Sequence, residues 1–173
     1  MTKTLVLATL LVAGAYAKDL SKSKTFIGVD IGYSQVKGYV DNDGDIQYKD
    51  DSDIQYGLRI GAQNEKWRTT FIFGYYDNGD TQQNLEEYLL TIDYFLQYPT
   101  STLKPYIGAN IGYANYESEF IDDEGGMIYG GQVGFIMDLT EHVNIDLSYR
   151  YSATDYDELD RTGGVIFGTN YIF

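Results

Sequence analysis

The chain has 173 residues, no cysteine and a formal net charge of −14, and its length suits a single domain. The lack of cysteine excludes disulfides, thiolate metal sites and a cysteine nucleophile. A strongly acidic chain is a poor nucleic-acid ligand, because contacts with phosphate need Lys and Arg. Mean hydropathy is −0.31, and no apolar run beyond the N-terminus reaches the roughly 18 residues that a transmembrane helix needs. Tyrosine and glycine are abundant, with 18 and 19 residues.

The N-terminal segment has the pattern of an export signal. Lys3 supplies a positive charge, Leu5 to Ala13 form a short apolar run, and Ala15 to Ala17 match a small-x-small cleavage site. The run is too short to span a bilayer, and polar residues follow it. We therefore predict a cleavable signal peptide over 1–17 and one folded domain over 18–173.

The rest of the chain alternates between apolar and polar residues. In the first segment, Ile27 and Val29 alternate with Gly28 and Asp30, and this period of two is typical of β-strands. Leu85 to Leu96 is also compatible with a helix, but its alternation and its tyrosines favour a strand. Eight segments follow one another, at about Thr25–Val40, Asp53–Gln63, Lys66–Tyr76, Leu85–Gln97, Lys104–Tyr116, Gly126–Leu139, His142–Tyr151 and Thr162–Phe173.

The connections between these segments alternate in length. Asn64-Glu65 and Thr140-Glu141 are tight turns, and Tyr98 to Leu103 is short. The longer loops are Asp41–Ser52, Asp77–Asn84, Glu117–Gly125 and Ser152–Arg161. Outer-membrane barrels have short periplasmic turns and longer extracellular loops. The sequence therefore predicts an all-β fold, an eight-stranded antiparallel up-and-down transmembrane β-barrel with both termini in the periplasm.

The polar face is predicted to line the lumen and the apolar face to meet lipid. Small residues fit the narrow interior of an eight-stranded barrel, and the polar-face glycines form i, i+4 pairs at 28 and 32, 108 and 112, 130 and 134, and 164 and 168. Tyrosines of the apolar face gather at the loop end of the strands, as an aromatic girdle requires: Tyr33, Tyr56, Tyr75, Tyr88, Tyr113, Tyr129 and Tyr151. Trp67, Tyr171 and Phe173 begin a matching girdle at the periplasmic end.

Three stretches carry a family resemblance: PYIGANIGY from Pro105 to Tyr113, GGQVGFIMDLTEHVNIDLSYRY from Gly130 to Tyr151, and the terminal Phe173 with Tyr171 before it. The chain resembles the small outer-membrane barrels that include the OmpA transmembrane domain, OmpX and the opacity proteins. The resemblance implies a location in the cell outer membrane, in contact with lipid and lipopolysaccharide. It also implies that the barrel-assembly machinery reads the C-terminal strand through Phe173.

Charged residues on the inward face are candidates for a structural network in the lumen. Buried charges need partners, so we expect these side chains to pair across the lumen and plug it; solvation by trapped water is the other interpretation. Five of them fall at roughly one depth in the periplasmic half and the sixth lies higher: Asp30, Arg59, Arg68, Asp93 and Asp146, then Arg150.

Nothing in the pattern points to catalysis. His142 is the only histidine, and it follows a turn at the periplasmic end, with no HxS motif. Lipid A deacylases and palmitoyltransferases are also eight-stranded barrels, but they use His and Ser near the extracellular side. We expect a protein that is not an enzyme, with no catalytic residue and no cofactor.

The loops hold 17 of the 26 acidic residues, in segments 41–53, 77–84, 117–125 and 152–161. Solvation and mutual repulsion explain such a surface, and divalent-cation binding is the alternative. Asp41, Asp43 and Asp45 are the metal candidates, although their glycine and the missing final glutamate do not fit an EF-hand loop.

We therefore expect a monomeric outer-membrane barrel with a structural or surface-interaction role and a lumen plugged by polar side chains. A narrow passive porin is the first alternative. A soluble, lipocalin-like periplasmic carrier with an apolar lumen is the second.

Overall fold

The computed structural model describes residues 23–42, 45–78, 83–96, 102–118, 121–155 and 159–173. These residues form eight strands: β1 (Lys24–Asn42), β2 (Asp45–Gln63), β3 (Trp67–Asn78), β4 (Gln83–Phe95), β5 (Leu103–Ser118), β6 (Ile121–Asp138), β7 (Val143–Thr154) and β8 (Leu159–Ile172). Within the described residues, no helix is long and apolar enough to cross a membrane. The predicted signal peptide, 1–17, lies outside the described residues.

The strands close into one barrel. Each strand pairs antiparallel with its neighbours in sequence, and β1 pairs with β8. The end of the chain is held as well, because the Phe173 amide donates to the Thr25 carbonyl over 2.9 Å and the Ile172 amide donates to the His142 carbonyl over 2.7 Å. Closure leaves no unpaired sheet edge, which is a requirement for strands in hydrocarbon. The predicted up-and-down barrel is confirmed, and the segment from Leu85 onward is a strand rather than a helix.

The two faces of the barrel have opposite polarity. In β7, Asp146 and Arg150 are buried, whereas Leu147 and Tyr149 are exposed. The same alternation leaves large apolar side chains on the outside of every strand. An outer surface of this kind suits lipid and is rare on water-soluble proteins. The soluble, lipocalin-like alternative is therefore wrong.

The seven tyrosines predicted to form the extracellular girdle all point outward, and each is at least 37% exposed. Tyr56 is in direct register with Tyr75, and Tyr88 is in direct register with Tyr113. The other members are displaced from their neighbours by two residues along the strand, which is one step on the same face. The tyrosines therefore form one belt across seven of the eight strands, β1 to β7.

Short polar side chains close the two tightest turns. The Asn64 side-chain oxygen accepts from the amides of Lys66 and Trp67, both over 2.8 Å. The Thr140 hydroxyl accepts from the amides of His142 and Val143 over 3.2 and 3.0 Å. Such side chains replace backbone partners that a turn leaves unsatisfied. Both tight turns are where the sequence predicted them.

The predicted lengths of the long loops were wrong. Pairing of β1 with β2 continues up to Asn42 opposite Asp45, although the sequence predicted a loop over Asp41–Ser52. The other three extracellular connections are likewise shorter than predicted. The strands on either side of each connection, β3 and β4, β5 and β6, and β7 and β8, extend beyond the girdle. Outside the membrane both faces of a hairpin meet water, so the hydrophobic alternation fades while the backbone pairing persists.

Candidate functional site

A carboxylate in the middle of the lumen links opposite walls of the barrel. Asp146 on β7 accepts hydrogen bonds through Oδ2 from Arg59 Nη1 over 2.9 Å and from Arg68 Nη1 over 2.7 Å. The Tyr106 hydroxyl donates to Asp146 Oδ1 over 2.9 Å. Because β3 and β7 are four strands apart in a ring of eight, the bond between Arg68 and Asp146 crosses the full width of the lumen.

Asp30 binds a second edge of the Arg59 guanidinium. Its Oδ2 accepts from Arg59 Nη2 over 2.6 Å and from Nε over 3.1 Å. The Arg59 guanidinium thus joins two carboxylates, one on β1 and one on β7. Both side chains of this pair are at most 5% exposed, so solvent screens their attraction little.

Asp93 extends the network toward the extracellular side. It accepts from Arg68 Nε over 2.8 Å and from Gln132 Nε2 over 2.6 Å. The Gln132 oxygen in turn accepts from Arg150 Nε over 3.1 Å. The Arg68 guanidinium also lies 4.5 Å from the centre of the Tyr106 ring, a cation–π distance. Seven of the eight strands contribute a side chain to the connected group.

The structure brings together all six charged residues that the sequence placed in the lumen. Five meet in direct ion pairs, and Arg150 joins them through Gln132. Sequence reasoning missed Tyr106 and Gln132, which carry no charge but supply hydrogen bonds between charged partners. Their inward parity was the available signal.

A second polar group lies nearer the extracellular end. Ser34 donates to Gln55 Oε1, and Gln55 Nε2 donates to Glu87 Oε2 over 2.7 Å. Glu87 was missing from the predicted network, although it is only 2% exposed. The buried charged side chains of the described residues are therefore four carboxylates and three guanidinium groups: Asp30, Glu87, Asp93 and Asp146, with Arg59, Arg68 and Arg150.

Glycines provide the space for this network. Gly57 and Gly168 flank Asp30 in register, and a Cβ on Gly57 would overlap the Asp30 carboxylate. A Cβ on Gly168 would lie 2.7 Å from the Arg59 guanidinium carbon. Gly108 stands in register between Asp93 and Gln132, which lets these side chains meet. These inward glycines thus stand in register beside network residues and leave room for their side chains.

Buried apolar side chains on β3 to β6 line the lumen wall on both sides of the charged layer, which is formed by Asp30, Arg59, Arg68, Asp93 and Asp146. One cluster lies toward the extracellular end, and the other lies on the periplasmic side. Their members are Ile72, Tyr76, Leu85, Leu89, Ala114 and Ile128 in the first, and Phe95, Tyr106 and Ile136 in the second. The sequence interpretation of an entirely polar lumen overlooked them. A single inward apolar residue between polar ones barely changes the apolar–polar alternation of a strand, so the sequence pattern does not reveal it.

The arrangement suits a plug more than a reaction centre. Each buried carboxylate of the central layer has at least one guanidinium partner, which is what desolvated charges require. The space among Arg59, Arg68, Tyr106, Gln132 and their neighbours is too narrow for a water-sized sphere.

The remaining candidate residues lie outside the lumen. His142 is exposed on the turn between β6 and β7, and its ring stacks on Tyr171 with centroids 6.0 Å apart. The metal candidates Asp41, Asp43 and Asp45 fall outside the side chains that the structure describes. Among the described residues, no three His, Cys, Asp or Glu side chains are grouped to hold a metal ion.

A closed eight-stranded barrel with an apolar outer face, an aromatic girdle and a plugged polar lumen defines an integral outer-membrane β-barrel protein. Comparison with protein families agrees: the chain belongs to the outer membrane protein beta-barrel domain family, whose model matches residues 4–173. The protein is therefore located in the outer membrane.

Solved structures share this fold. Neisserial surface protein A, NspA, has a TM-score of 0.72 at 17% identity, covering 86% of this chain and 97% of that one. Outer membrane protein H, OprH, from P. aeruginosa has a TM-score of 0.63 at 20% identity, with 87% and 99% covered. The N-terminal barrel domain of Pseudomonas aeruginosa OprF has a TM-score of 0.54 at 19% identity, with 84% and 97% covered. No curated protein sequence matches the chain.

Proposed function

We propose that this protein is a closed, non-conducting barrel that serves the structure of the outer membrane and presents its acidic hairpins for surface interactions. The observation that carries the proposal is the bond of Asp146 to both Arg59 and Arg68 across the lumen. A network connected through seven strands fixes the barrel wall and occupies the path that a solute would need.

The layered lumen supports this proposal over a narrow porin. A conducting path would have to pass the charged layer, and buried apolar side chains such as Leu89 and Ile136 line the lumen wall on either side of it. Opening the charged layer would separate desolvated ion pairs, which costs several kcal/mol per uncompensated ion. The charged layer therefore keeps the lumen closed and does not act as a selectivity filter.

Planar-bilayer recording tests this function. Refolded protein, shown to be folded by its heat-modifiable gel mobility, is expected to give no discrete openings. A refolded porin recorded in the same bilayers is the control for detection. Reproducible openings in the wild type, with an ion selectivity that Arg68→Gln changes, would mean that the protein is a narrow porin and not a closed barrel.

We also propose that the protein has no enzymatic activity. The exposed His142 stacks on Tyr171, and the neighbouring Thr140 hydroxyl is engaged with two turn amides. Among the described residues, the only histidine therefore contacts an aromatic ring, and the nearest hydroxyl in the turn is held by backbone amides. Incubation of the folded protein with phospholipid and lipopolysaccharide should release no fatty acid; release that His142→Ala abolishes would contradict the proposal.

Assembly through the terminal strand is proposed as well. Phe173 is 68% exposed, and its ring meets Tyr171 edge-on at 5.2 Å. The barrel-assembly machinery would read this aromatic end before the barrel closes. Deleting Phe173 should leave the protein in the periplasm, whereas the control Phe167→Ala, on the lipid-facing side of the same strand, should reach the outer membrane.

Two proposals concern parts of the chain outside the described side chains. Residues 1–17 are proposed to be a cleaved signal peptide, so N-terminal sequencing of the mature protein should begin at Lys18. The acidic hairpins are proposed to be solvated and mutually repelling, with no metal site, and divalent-cation binding at Asp41, Asp43 and Asp45 is the alternative. Calcium should therefore leave the thermal stability of the wild type unchanged; a rise that the triple Asp→Asn variant lacks would favour the alternative.

A further inference from the structure

One side of β2 rises above the barrel without a neighbouring strand. Pairing of β2 with β3 ends at Gln55 opposite Tyr76, whereas pairing of β2 with β1 continues to the start of β2. Just above the last pair, the Ile54 amide donates to the Asp53 side chain over 2.7 Å, so a local bond replaces the ladder there. Within the described strands, residues 45–51 pair only with β1, and we call their other side the β2 edge.

The β2 edge is long because neighbouring hairpins differ in height. β2 begins eleven residues beyond its girdle residue Tyr56, whereas β3 ends three residues beyond Tyr75. Asn78 and Gln83 form the last pair between β3 and β4. The four residues between them reach at most about 13 Å when extended, against about 23 Å for the β2 edge. The β3–β4 hairpin is therefore too short to pair with the β2 edge.

The backbone of the β2 edge suits an added strand. An unpaired strand edge presents a row of amide and carbonyl groups, and another extended chain can pair with them. Alternate residues of a strand direct both groups to the same edge, so residues 45–51 offer about three or four such positions. Their sequence, DIQYKDD, contains neither proline nor glycine, the residues that interrupt a strand ladder.

Charge selects the chemistry of the partner. The hairpin segment 39–51 contains five aspartates and one lysine, a formal charge of −4. The part of β6 beyond its pairing with β7, residues 121–126, holds three acids and no base. Because like charges on paired strands repel, neither edge of a second copy matches the β2 edge. An extended segment rich in lysine or arginine has both the opposite charge and the required shape.

We propose that the β2 edge binds an extended, basic segment of another protein by pairing with it as an additional strand. Main-chain hydrogen bonds supply the affinity, as in other cases of strand addition, and the charge of the hairpin favours lysine and arginine. The inference rests on the proposed surface-interaction role and names the class of partner. Bilayer recording tests the closed lumen separately, because a conducting barrel would still carry the same edge.

Fluorescence anisotropy with a synthetic peptide tests the β2 edge on the whole folded barrel in zwitterionic detergent micelles. The probe is a labelled peptide of the same length as the edge, in which lysine alternates with threonine. The matched control peptide is N-methylated at four consecutive amides, so that it keeps its charge but loses two donors on each of its edges. Hydrogen exchange followed by mass spectrometry locates the bound peptide on the protein.

The expected result is saturable binding of the unmodified peptide, with slower hydrogen exchange in residues 45–51. Loss of two hydrogen bonds should weaken binding of the N-methylated peptide by at least about tenfold. Asp50→Asn with Asp51→Asn should weaken binding of the unmodified peptide by about fivefold. The control pair Glu65→Gln with Glu141→Gln, which removes the same charge at the exposed periplasmic turns, should leave binding unchanged.

Three outcomes overturn the proposal. Equal binding of both peptides means that charge attraction, and not strand pairing, holds them. Slower exchange only outside residues 45–51 places the peptide on another part of the barrel. Absence of binding, with folding verified by gel mobility, means that the β2 edge accepts no basic segment; if the barrel then elutes as a dimer with residues 45–51 already protected, a second copy covers the edge.

Discussion

Neighbouring residues on β7 face two different environments, the lumen and the lipid. Asp146 is 1% exposed and contacts three side chains from three other strands, whereas Leu147 beside it is 37% exposed and faces lipid. Lipid accepts many apolar side chains in many orientations. The lumen has a fixed cross-section and no bulk solvent, so each inward group needs a particular partner.

The difference shows where the sequence of a small barrel is constrained. On the outer face, a side chain needs only a suitable polarity for its approximate depth in the membrane. On the inner face, a carboxylate, the glycine beside it in register and the arginine that fills the glycine's space form one unit, as Asp30, Gly168 and Arg59 do. Substitutions should therefore have larger effects inside than outside, and four experiments test that contrast.

The largest effect is expected at Asp146. Asp146→Ala leaves two buried guanidinium groups short of a partner and should lower the free energy of unfolding by about 3–5 kcal/mol. The same substitution at Asp138, which pairs with Lys104 at the partly exposed periplasmic mouth, should cost less than about 1 kcal/mol. Urea titration of the refolded proteins in vesicles measures both, and equal losses would refute the special role of the central carboxylate.

Removing one hydroxyl from each face gives the next contrast. Tyr106→Phe takes away the donor to Asp146 Oδ1, a hydrogen bond to a charged group, and should cost about 1.5–3 kcal/mol. Tyr113→Phe removes a hydroxyl from the girdle, where water and headgroups replace it, and should change stability by less than about 0.5 kcal/mol. Shifts of the urea midpoint at constant slope report the difference; a larger shift for Tyr113→Phe would reverse the interpretation.

Adjacent glycines offer a third contrast on one strand. A Cβ on inward-facing Gly130 would overlap the Tyr151 carbonyl and lie 2.8 Å from Ser152 Cα, whereas one on Gly131 meets only the Gly108 carbonyl at 3.2 Å. Gly130→Ala should therefore cost about 1–3 kcal/mol through overpacking. Gly131→Ala should be neutral or stabilise by up to about 1 kcal/mol, because it restricts the unfolded chain. Thermal unfolding monitored by gel mobility separates the two.

The smallest effect is expected at Glu87, which makes the described buried carboxylates outnumber the guanidinium groups. Glu87→Gln preserves an acceptor for Gln55 Nε2 and removes one buried charge, so we expect a change within about 1 kcal/mol, on the stabilising side. Asp93→Asn, which removes a directly paired charge, is the comparison and should destabilise the barrel. A loss at Glu87 as large as that at Asp93 would mean that Glu87 belongs to the ion-pair network.

The girdle and the charged layer were predictable to different degrees. Alternation and strand direction were sufficient to place Tyr56 beside Tyr75 at one level, because the register follows from short turns such as that at Asn64. The inward charges could be assigned to one depth, yet their pairing could not, since Arg59 reaches both Asp30 on a neighbouring strand and Asp146 three strands away. Side-chain length and the glycine gaps decide those choices.

By itself, the sequence determined the strand number, the direction of each face and the membrane environment, because period-two hydrophobicity and turn residues are local properties of the chain. It also identified the buried charged residues of the lumen except Glu87. Only the tertiary structure decided that Asp146 would link Arg59 with Arg68 and that buried apolar side chains would line the lumen wall on both sides of the charged layer. Each of these depends on the register at which distant strands meet when the sheet closes, and no local pattern encodes that register.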